Sequence, residues 1–319
     1  MILRSLLFTL FFLFSTSLYA NNDTKVFQKI EKNLDSIIVK DISKNKTIFT
    51  KAENKPVRPA SLTKIMTAML AIESGKLNNV VTITNEMSNV EPTKTGLRPG
   101  DKVFLKDLVH AAMIKSANDA ATAIAYYLGN GDKDNFVAMM NKKAKSIGMS
   151  NTKFTNPSGF DIGDHKSTAK DLLTLSEYAI KNKTFNEIVK LNKYVFQTLN
   201  TGRKVTVYTS NKLQKQDKYV VGIKTGYTSK AGACLIARAK KNDKDILLVM
   251  LNSENRWETA KTALEQATKT QTKKASNVVA KTPQKKVVKT NQKNTKSQKV
   301  VNNTKNTKKE PKKEKKKVV

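Results

Sequence analysis

The chain has 319 residues, which is enough for one large domain or two small ones. Its net charge of +33 is of the size that indicates nucleic acid or an anionic surface as a partner. A single cysteine excludes an internal disulfide, and two histidines with one cysteine exclude a structural zinc cluster of the usual Cys/His kind. We therefore expect no metal and no cofactor.

Residues 1–20 have the layout of a secretory signal peptide. Arg4 supplies a positive start, an apolar run follows over Leu6–Phe14, and small residues lead to Ala20. The apolar run is shorter than the ~20 residues of a membrane-spanning helix. Leu18, third before the cut, is larger than a cleavage site prefers. The sequence predicts an exported protein of the periplasm or cell envelope. The alternative that the segment is not cleaved and anchors the protein to the membrane remains open.

The front of the chain combines a hairpin with helices. Two short strands at Ser36–Asp41 and Lys46–Lys51, joined by a polar run, predict a β-hairpin, and a third strand is predicted at Val80–Thr84. A helix over Pro59–Ile72 is apolar on nearly every face, which indicates burial, and Gly75 follows its end. Helical spacing continues in Leu105–Lys115, Asn118–Leu128, Asp132–Ile147 and Ser167–Asn182.

The apolar period then changes to that of strands. These are predicted at Tyr194–Thr198, Lys204–Tyr208, Tyr219–Lys224, Ala233–Ala239 and Asp245–Leu251, and a helix at Glu254–Thr268 closes the folded part. Strands at both ends of the chain with helices between them predict an α+β fold. We expect an α/β sandwich, in which an antiparallel sheet of N- and C-terminal strands carries helices on both faces beside a helical subdomain.

Residues 269–319 form a lysine-rich tail that we predict to be disordered. Its 18 lysines and two glutamates carry +16 of the net charge, and it contains no aromatic residue and no glycine. A solvated spacer and an electrostatic contact with anionic membrane or cell-wall polymer are both open interpretations. Nucleic acid is a poor partner for an exported protein whose basic tail lacks aromatic platforms.

A serine and a lysine in the apolar helix are the first candidates for chemistry. Ser61 and Lys64 lie one turn apart and project from one side of the helix. A desolvated lysine has a lowered pKa and can activate a neighbouring serine as a neutral base. The alternative is an ordinary N-cap serine and a lysine that reaches water. The same Ser-x-x-Lys spacing recurs in a turn, a loop and an amphipathic helix, at Ser43, Ser150 and Ser167.

Two further motifs have suitable surroundings. Ser116-Ala117-Asn118 falls at the break between two predicted helices, where a hydroxyl and a carboxamide can point into a cleft, although Ser116 as a helix cap is the simpler alternative. Lys224-Thr225-Gly226 ends a predicted strand, where it can bind an anion and admit a substrate backbone. Lys94-Thr95-Gly96 has the same letters, but a turn follows it and no strand precedes it.

These three motifs, in this order, form the set of penicillin-binding proteins and serine β-lactamases. Their flanks resemble low-molecular-mass penicillin-binding proteins of the D-alanyl-D-alanine carboxypeptidase family. The similar stretches are Arg58–Met66, Ser116–Ala121, Asn156–Phe160, His165–Asp171 and Lys224–Leu235. The resemblance extends roughly from Ile37 to Leu264. It implies a β-lactamase/transpeptidase-like fold, with residues 21–268 as the catalytic domain.

The resemblance also implies a reaction. A serine D-alanyl-D-alanine carboxypeptidase removes the terminal D-alanine from peptidoglycan stem pentapeptides through an acyl-enzyme. Ser61 would attack the carbonyl between the two D-alanines, Lys64 would take its proton, and Ser116 would relay that proton toward the leaving amine. Water then hydrolyses the acyl-enzyme. β-Lactams, which resemble the acyl-D-alanyl-D-alanine end, should acylate Ser61 as covalent inhibitors.

Five residues would bind the substrate in this scheme. Asn118 would hold the peptide, and Lys224 and Thr225 would receive its terminal carboxylate. Gly226 would let the backbone approach, and the N–H of Tyr227 would complete an oxyanion hole with that of Ser61. Repulsion from Lys224 is also expected to help keep Lys64 neutral.

Several alternatives remain. A DD-endopeptidase that cleaves peptidoglycan crosslinks shares the motifs, and a non-catalytic exported protein that binds anionic envelope polymers is the rival from another class. A class A β-lactamase is disfavoured by Ala117 and by the lack of a Glu-x-x-x-Asn sequence between Asn118 and Lys224. A Ser-His-Asp triad would use His165 with Asp161 or Asp164, whereas the resemblance makes His165 structural.

The family pattern is not followed to its end. Many members carry a second, β-rich domain and an amphipathic anchoring helix, for which the chain after Thr268 has neither the length nor the composition. This difference puts attachment to the membrane through the C-terminus in doubt.

Overall fold

The computed structural model of the protein describes residues 25–269. The predicted signal peptide lies outside these residues, and so does the lysine-rich tail after its first residue. Between residues 25 and 269 no helix combines the length and the apolar character that crossing a bilayer requires.

A five-stranded antiparallel sheet forms the centre of the fold, with the strand order β2-β1-β9-β8-β7. Its strands are β1 (Leu34–Asp41), β2 (Lys46–Lys51), β7 (Val220–Thr228), β8 (Gly232–Lys241) and β9 (Lys244–Ser253). Because β1 pairs with β9 along its length, the N-terminal hairpin and the C-terminal strands share one sheet, as predicted. The edge strand β7 pairs only with β8 in this sheet, and its residue Gly226 lies against the turn that contains Ser61.

Two small ribbons stand apart from this sheet. They are β3 (Val80–Thr82) with β4 (Lys102–Phe104), and β5 (Lys193–Gln197) with β6 (Lys204–Tyr208). The sequence did not separate the β5–β6 ribbon from the main sheet, because alternation of apolar residues identifies a strand and not its neighbours.

The helices account for most of the remaining chain. They are α1 (residues 25–30), α2 (Lys64–Glu73), α3 (Asn85–Ser88), α4 (Leu105–Ile114), α5 (Asn118–Leu128), α6 (Lys133–Ser146), α7 (Ala169–Ala179), α8 (Lys183–Val189), α9 (Lys212–Gln216) and α10 (Arg256–Thr268). The long helices agree with the predicted ones to within a few residues, and α5 coincides with its prediction. The short elements β4, α1, α3, α8 and α9 were missed, since a few residues carry too little periodicity.

The neighbouring strands β8 and β9 are buried on both faces of the sheet, which explains their nearly continuous apolar sequences. Along β9, Ile246 and Leu248 pack with α10, whereas Leu247 and Val249 pack into the larger core that contains α2 and α7. All four are fully buried, and burial of such a side chain contributes about 1.5–3 kcal/mol. Helices on both faces of an antiparallel sheet confirm the predicted α+β sandwich.

Candidate active site

Ser61 and Lys64 lie together at the start of the buried helix. Ser61 belongs to a 3₁₀ turn, Ala60–Thr63, that leads directly into α2, whose first residue is Lys64. The Lys64 Nζ lies 3.0 Å from the Ser61 Oγ, 2.7 Å from the Asn118 Oδ1 and 2.6 Å from the Ser158 carbonyl oxygen. Ser61 makes no capping hydrogen bond and Lys64 is 0% exposed, so the alternative of a cap and a solvated lysine is wrong.

Burial changes the acid–base chemistry of Lys64. It lowers the pKa of this amine to about 7, and the nearby carboxylate of Asp119 opposes the shift. Burial disfavours the charged form of an amine because the ammonium loses its hydration. A large fraction of Lys64 is consequently neutral near pH 7, with a lone pair beside the Ser61 hydroxyl.

Lys224 is a second buried lysine in the site. Its Nζ donates to the Ser116 Oγ at 2.7 Å and to the Thr225 carbonyl at 2.9 Å. Burial lowers the pKa of Lys224 well below its ordinary value, and the charges of Lys64 and Arg256 lower it further. The sequence led us to expect repulsion to act on Lys64. Desolvation, which was also expected, is the main cause of the shift at Lys64, whereas the repulsion lowers the pKa of Lys224.

The break between α4 and α5 positions Ser116 and Asn118. Ser116 has a positive φ of 67°, a left-handed conformation that costs a non-glycine residue about 1–3 kcal/mol. Ala117 occupies the N-cap position of α5, so the interpretation of Ser116 as the helix cap is wrong. The Asn118 amide donates to the carbonyls of Glu91 and Pro92 at 3.1 and 2.8 Å, while its Oδ1 accepts from Lys64. That oxygen keeps a second lone pair for a ligand N–H.

The Lys-Thr-Gly motif lies inside β7, not at its end as predicted. Pairing with β8 continues through Thr228, which keeps Thr225, Gly226 and Tyr227 in extended backbone. The Tyr227 side chain is 69% exposed. A Cβ on Gly226 would lie 3.3 Å from the Ser61 backbone nitrogen, so the strand passes directly against the turn that holds Ser61.

The loop after α6 completes the wall around Lys64. The Asn156 Oδ1 accepts the N–H groups of Ser158, Gly159 and Phe160 at 2.7–3.1 Å, which holds the loop in a tight turn. This turn aims the Ser158 carbonyl at Lys64. Gly159 has a φ of 89°, and a Cβ there would lie 1.8 Å from the Ala60 carbonyl oxygen. Glycine is therefore required for the loop to approach this closely.

His165 supports the Ser61 turn and does not contact Ser61 in the structure. The Thr155 N–H donates to its Nδ1 at 3.0 Å, and its Nε2 therefore carries the proton and lies 2.9 Å from the Thr63 Oγ1. Burial, with the charge of Arg58, lowers the pKa of His165 to about 4, so the ring is neutral near pH 7. Both ring nitrogens are occupied, and the alternative Ser-His-Asp triad is wrong for this residue.

The structure thus brings every predicted site residue to one cleft and adds several that were not assigned. Ser210 lies 2.7 Å from the Thr225 Oγ1, and Arg256 donates to the Gly226 and Cys234 carbonyls at 2.7 and 3.0 Å. The stretch Asn156–Phe160 resembles the sequence of the family, but the sequence alone predicted no role for its residues. Ser210 and Arg256 left no signal, because their partners are distant in sequence.

Comparison with known proteins gives consistent matches. Residues 23–255 match the model of peptidase family S11, described as D-alanyl-D-alanine carboxypeptidase. The D-alanyl-D-alanine carboxypeptidase DacF of Bacillus subtilis (strain 168) is 31% identical over 245 residues, 75% of this chain and 62% of its own length. The D-alanyl-D-alanine endopeptidase of Escherichia coli (strain K12) is 31% identical over 231 residues, 70% of this chain and 72% of its own length.

A solved structure extends the likeness to the fold. The crystal structure of the Streptomyces K15 DD-transpeptidase superposes with a TM-score of 0.70 at 28% sequence identity. The superposition covers 73% of this chain and 96% of that chain. The sandwich and the cleft therefore have the architecture that the resemblance implied.

Proposed function

Because the chain belongs to the D-alanyl-D-alanine carboxypeptidase family, we propose that it removes the terminal D-alanine from peptidoglycan stem pentapeptides. The observation that carries this proposal is the contact between the Ser61 hydroxyl and the Lys64 amine, whose pKa is lowered to about 7, together with the contact between Ser116 and Lys224. The chain spans 62% of the length of its Bacillus relative, so the activity of the whole chain is inferred from this site. The signal-like residues 1–20 support placing it in the cell envelope, where peptidoglycan lies.

Acylation begins with the Ser61 Oγ. Its proton passes to the Lys64 Nζ, and the oxygen attacks the carbonyl carbon between the two terminal D-alanines. The tetrahedral intermediate then collapses as the C–N bond breaks, which leaves Ser61 acylated. Ser116 relays a proton to the departing amine, and the Lys224 ammonium at 2.7 Å stabilises the Ser116 oxygen during the transfer.

The remaining residues hold the substrate. Lys224 and Thr225 receive the terminal carboxylate, whose negative charge favours the protonated form of Lys224. Asn118 accepts a peptide N–H with its free lone pair. The N–H groups of Ser61 and Tyr227 form the oxyanion hole, in which each donor contributes about 3–4 kcal/mol to the transition state. Water then hydrolyses the ester, and β-lactams acylate Ser61 by the same attack.

The acylation rate should follow the titration of Lys64. The amine has to be neutral to accept the Ser61 proton, and its pKa lies at about 7. Below that pH the ammonium form dominates and acylation slows about tenfold per pH unit. Above it the rate reaches a plateau. Rate constants for labelling by a fluorescent penicillin, measured from pH 5.5 to 9, should give this rise, and a flat profile would contradict the role of Lys64.

The substrate preference within the family has to be measured. A relative named carboxypeptidase and one named endopeptidase have the same sequence identity to this chain, 31%, so cleavage of crosslinks is the second candidate function. We expect purified protein to release D-alanine from uncrosslinked pentapeptide muropeptides and to leave crosslinked dimers intact. Mass spectrometry of the products separates the two reactions. Conversion of dimers to monomers without free D-alanine would establish the endopeptidase instead, and Ser61→Ala protein is the blank for both.

A further inference from the structure

The two small β-ribbons expose apolar side chains to solvent. Among residues 25–269, eight large hydrophobic residues are exposed, and four of them belong to these ribbons or to the turn between β5 and β6: Val80, Val195, Leu199 and Tyr208. Single exposed apolar residues are normal, whereas a group of them rimmed by polar residues indicates an interaction surface. The ribbons take no part in the acyl transfer described above, so their exposed side requires another explanation.

The β5–β6 ribbon has one buried side and one outward side, because successive side chains of a strand point to opposite faces. The inward side is buried in the larger core through Phe196, Val205 and Val207. On the outward side, Val195 is 38% exposed and Tyr208 is 57% exposed. The solvent-facing side of an antiparallel ribbon normally carries polar residues, so these two side chains depart from the usual pattern.

The turn of this ribbon is bonded to the β3–β4 ribbon. The Leu199 N–H donates to the Lys102 carbonyl at 2.7 Å, and the Asn200 Oδ1 accepts the Lys102 N–H at 3.0 Å. The Arg203 guanidinium also pairs with the carboxylate of Asp101, just before β4. Leu199, which is 46% exposed, is therefore held against β4, and the two ribbons form one platform.

The surroundings of these apolar residues are basic. Residues 188–216 include five lysines, one arginine and no aspartate or glutamate. Lys193 and Lys204 lie on the outward side of the β5–β6 ribbon, and Lys102 begins β4. All three lysines are exposed, and none forms an ion pair within residues 25–269. The Lys193 ammonium lies 5.7 Å from the centroid of the Tyr208 ring, so a cation and an aromatic ring share one spot.

This combination fits the surface of an anionic lipid bilayer. Lysines are attracted to the lipid phosphates, tyrosine prefers the level of the headgroups, and aliphatic side chains gain by entering the boundary of the acyl chains. A soluble anionic polymer would pair with the lysines but offers no apolar layer for Val195 and Leu199. The lack of any carboxylate over residues 188–216 suits a partner that carries charge of one sign.

We propose that this surface, the ribbon face, docks the folded part of the chain on an anionic lipid bilayer. The ribbon face consists of Val195, Leu199, Tyr208, Lys102, Lys193 and Lys204. Its aliphatic and aromatic side chains enter the interfacial layer, and its three ammonium groups bind headgroup phosphates. This peripheral attachment does not depend on the proposed carboxypeptidase function.

A label at one position tests the contact in the full chain. Cys234 is buried, so a thiol-reactive dye will select a cysteine placed at an exposed position. Gln197→Cys puts an environment-sensitive dye on the outward side of β5, and Met139→Cys on α6 is the matched control. The ribbon packs on α4, whereas α6 packs on α2 and α5. Vesicles of phosphatidylcholine and phosphatidylglycerol should shift the emission at position 197 to shorter wavelength and leave position 139 unchanged. Phosphatidylcholine alone should shift neither.

Charge-removing variants measure the strength of the contact. The double variant Lys193→Gln/Lys204→Gln should bind the anionic vesicles about thirtyfold more weakly in cosedimentation, since each lysine near an anionic surface contributes a factor of about five. Lys133→Gln/Lys142→Gln removes two exposed, unpaired lysines from α6 and should change binding less than about twofold. All variants should be labelled by a fluorescent penicillin at the wild-type rate, which verifies that they are folded.

Several results would overturn the proposal. Binding without a shift at position 197, or with equal shifts at both positions, would show that another part of the chain holds the vesicle. Equal losses in the two double variants would show an attraction that depends on net charge alone. A similar shift at position 197 with soluble polyphosphate would make the partner a polyanion. A chain that is labelled by penicillin but does not bind the vesicles would reject the docking and leave the acylation chemistry in place.

Discussion

Replacing Ser61 by alanine should abolish covalent labelling by a fluorescent penicillin, with a fall of roughly 10⁴-fold or more in the acylation rate. The Ser61 Oγ is the atom that forms the ester, and it lies 3.0 Å from the Lys64 amine that accepts its proton. The substitution removes one hydroxyl from the 3₁₀ turn before α2, where Ser61 makes no capping hydrogen bond, so the fold should be unaffected. Labelling followed on a denaturing gel, beside the thermal unfolding midpoint, measures both effects.

Ser150→Ala is the matched control for this variant. Ser150 also stands three residues before a lysine, Lys153, but both lie outside the helices, and the Ser150 side chain is exposed and accepts a hydrogen bond from its neighbour Asn151. It should label at the wild-type rate. Undiminished labelling of Ser61→Ala would reject Ser61 as the nucleophile, whatever the behaviour of the control.

Lys64→Arg should slow acylation by about 10²–10⁴-fold, the range that a positioned general base contributes. A guanidinium stays protonated at every accessible pH and cannot take the Ser61 proton. Wild-type Lys64 is buried, has a pKa of about 7, and therefore supplies a neutral amine. Stopped-flow measurement of penicillin acylation across pH 6–9 should show a low rate without the rise expected for the wild type.

Arginine is larger than lysine, and Lys64 is fully enclosed, so a second variant guards against misfolding. Lys64→Met removes the amine at nearly constant volume and also removes the cost of burying it. It gives up the hydrogen bonds to Asn118 and Ser158, yet we expect it to fold and to be as slow as Lys64→Arg. Acylation by folded Lys64→Met at more than a tenth of the wild-type rate would show that Lys64 is not the base.

Most of the secondary structure could be predicted because it depends on the spacing of apolar residues within short stretches of the sequence. The continuous apolar runs of β8 and β9 and the helical spacing of α4 to α7 are properties of consecutive residues, and each predicted element is present in the structure with small changes of boundary. The apolar surroundings of Lys64 in the helix sequence likewise predicted its burial. That one inference separated Ser61 from three other serines with the same spacing to a lysine.

What the pattern did not contain is equally specific. Ser210 meets Thr225, Arg256 meets the Gly226 carbonyl, and Ser158 meets Lys64 through contacts between segments 15 to 94 residues apart. The Lys94-Thr95-Gly96 motif was set aside because no strand precedes it, and only the folded loop shows that the Thr95 and Gly96 N–H groups donate to the buried carboxylate of Asp119. Such partners are chosen by the packing of distant segments, which no local periodicity records.

The sequence by itself determined the strands, the long helices and the identities of the reacting groups, because burial and hydrogen-bonding capacity depend on residue type and spacing. Only the tertiary structure decided the state of those groups. Lys64 has a pKa of about 7 because packing removes its hydration. The pKa of Lys224 is lowered by burial as well, and then by the charges of Lys64 and Arg256 that the fold brings near it. Desolvation and charge repulsion act through space, so they exist only after distant segments have closed around the site.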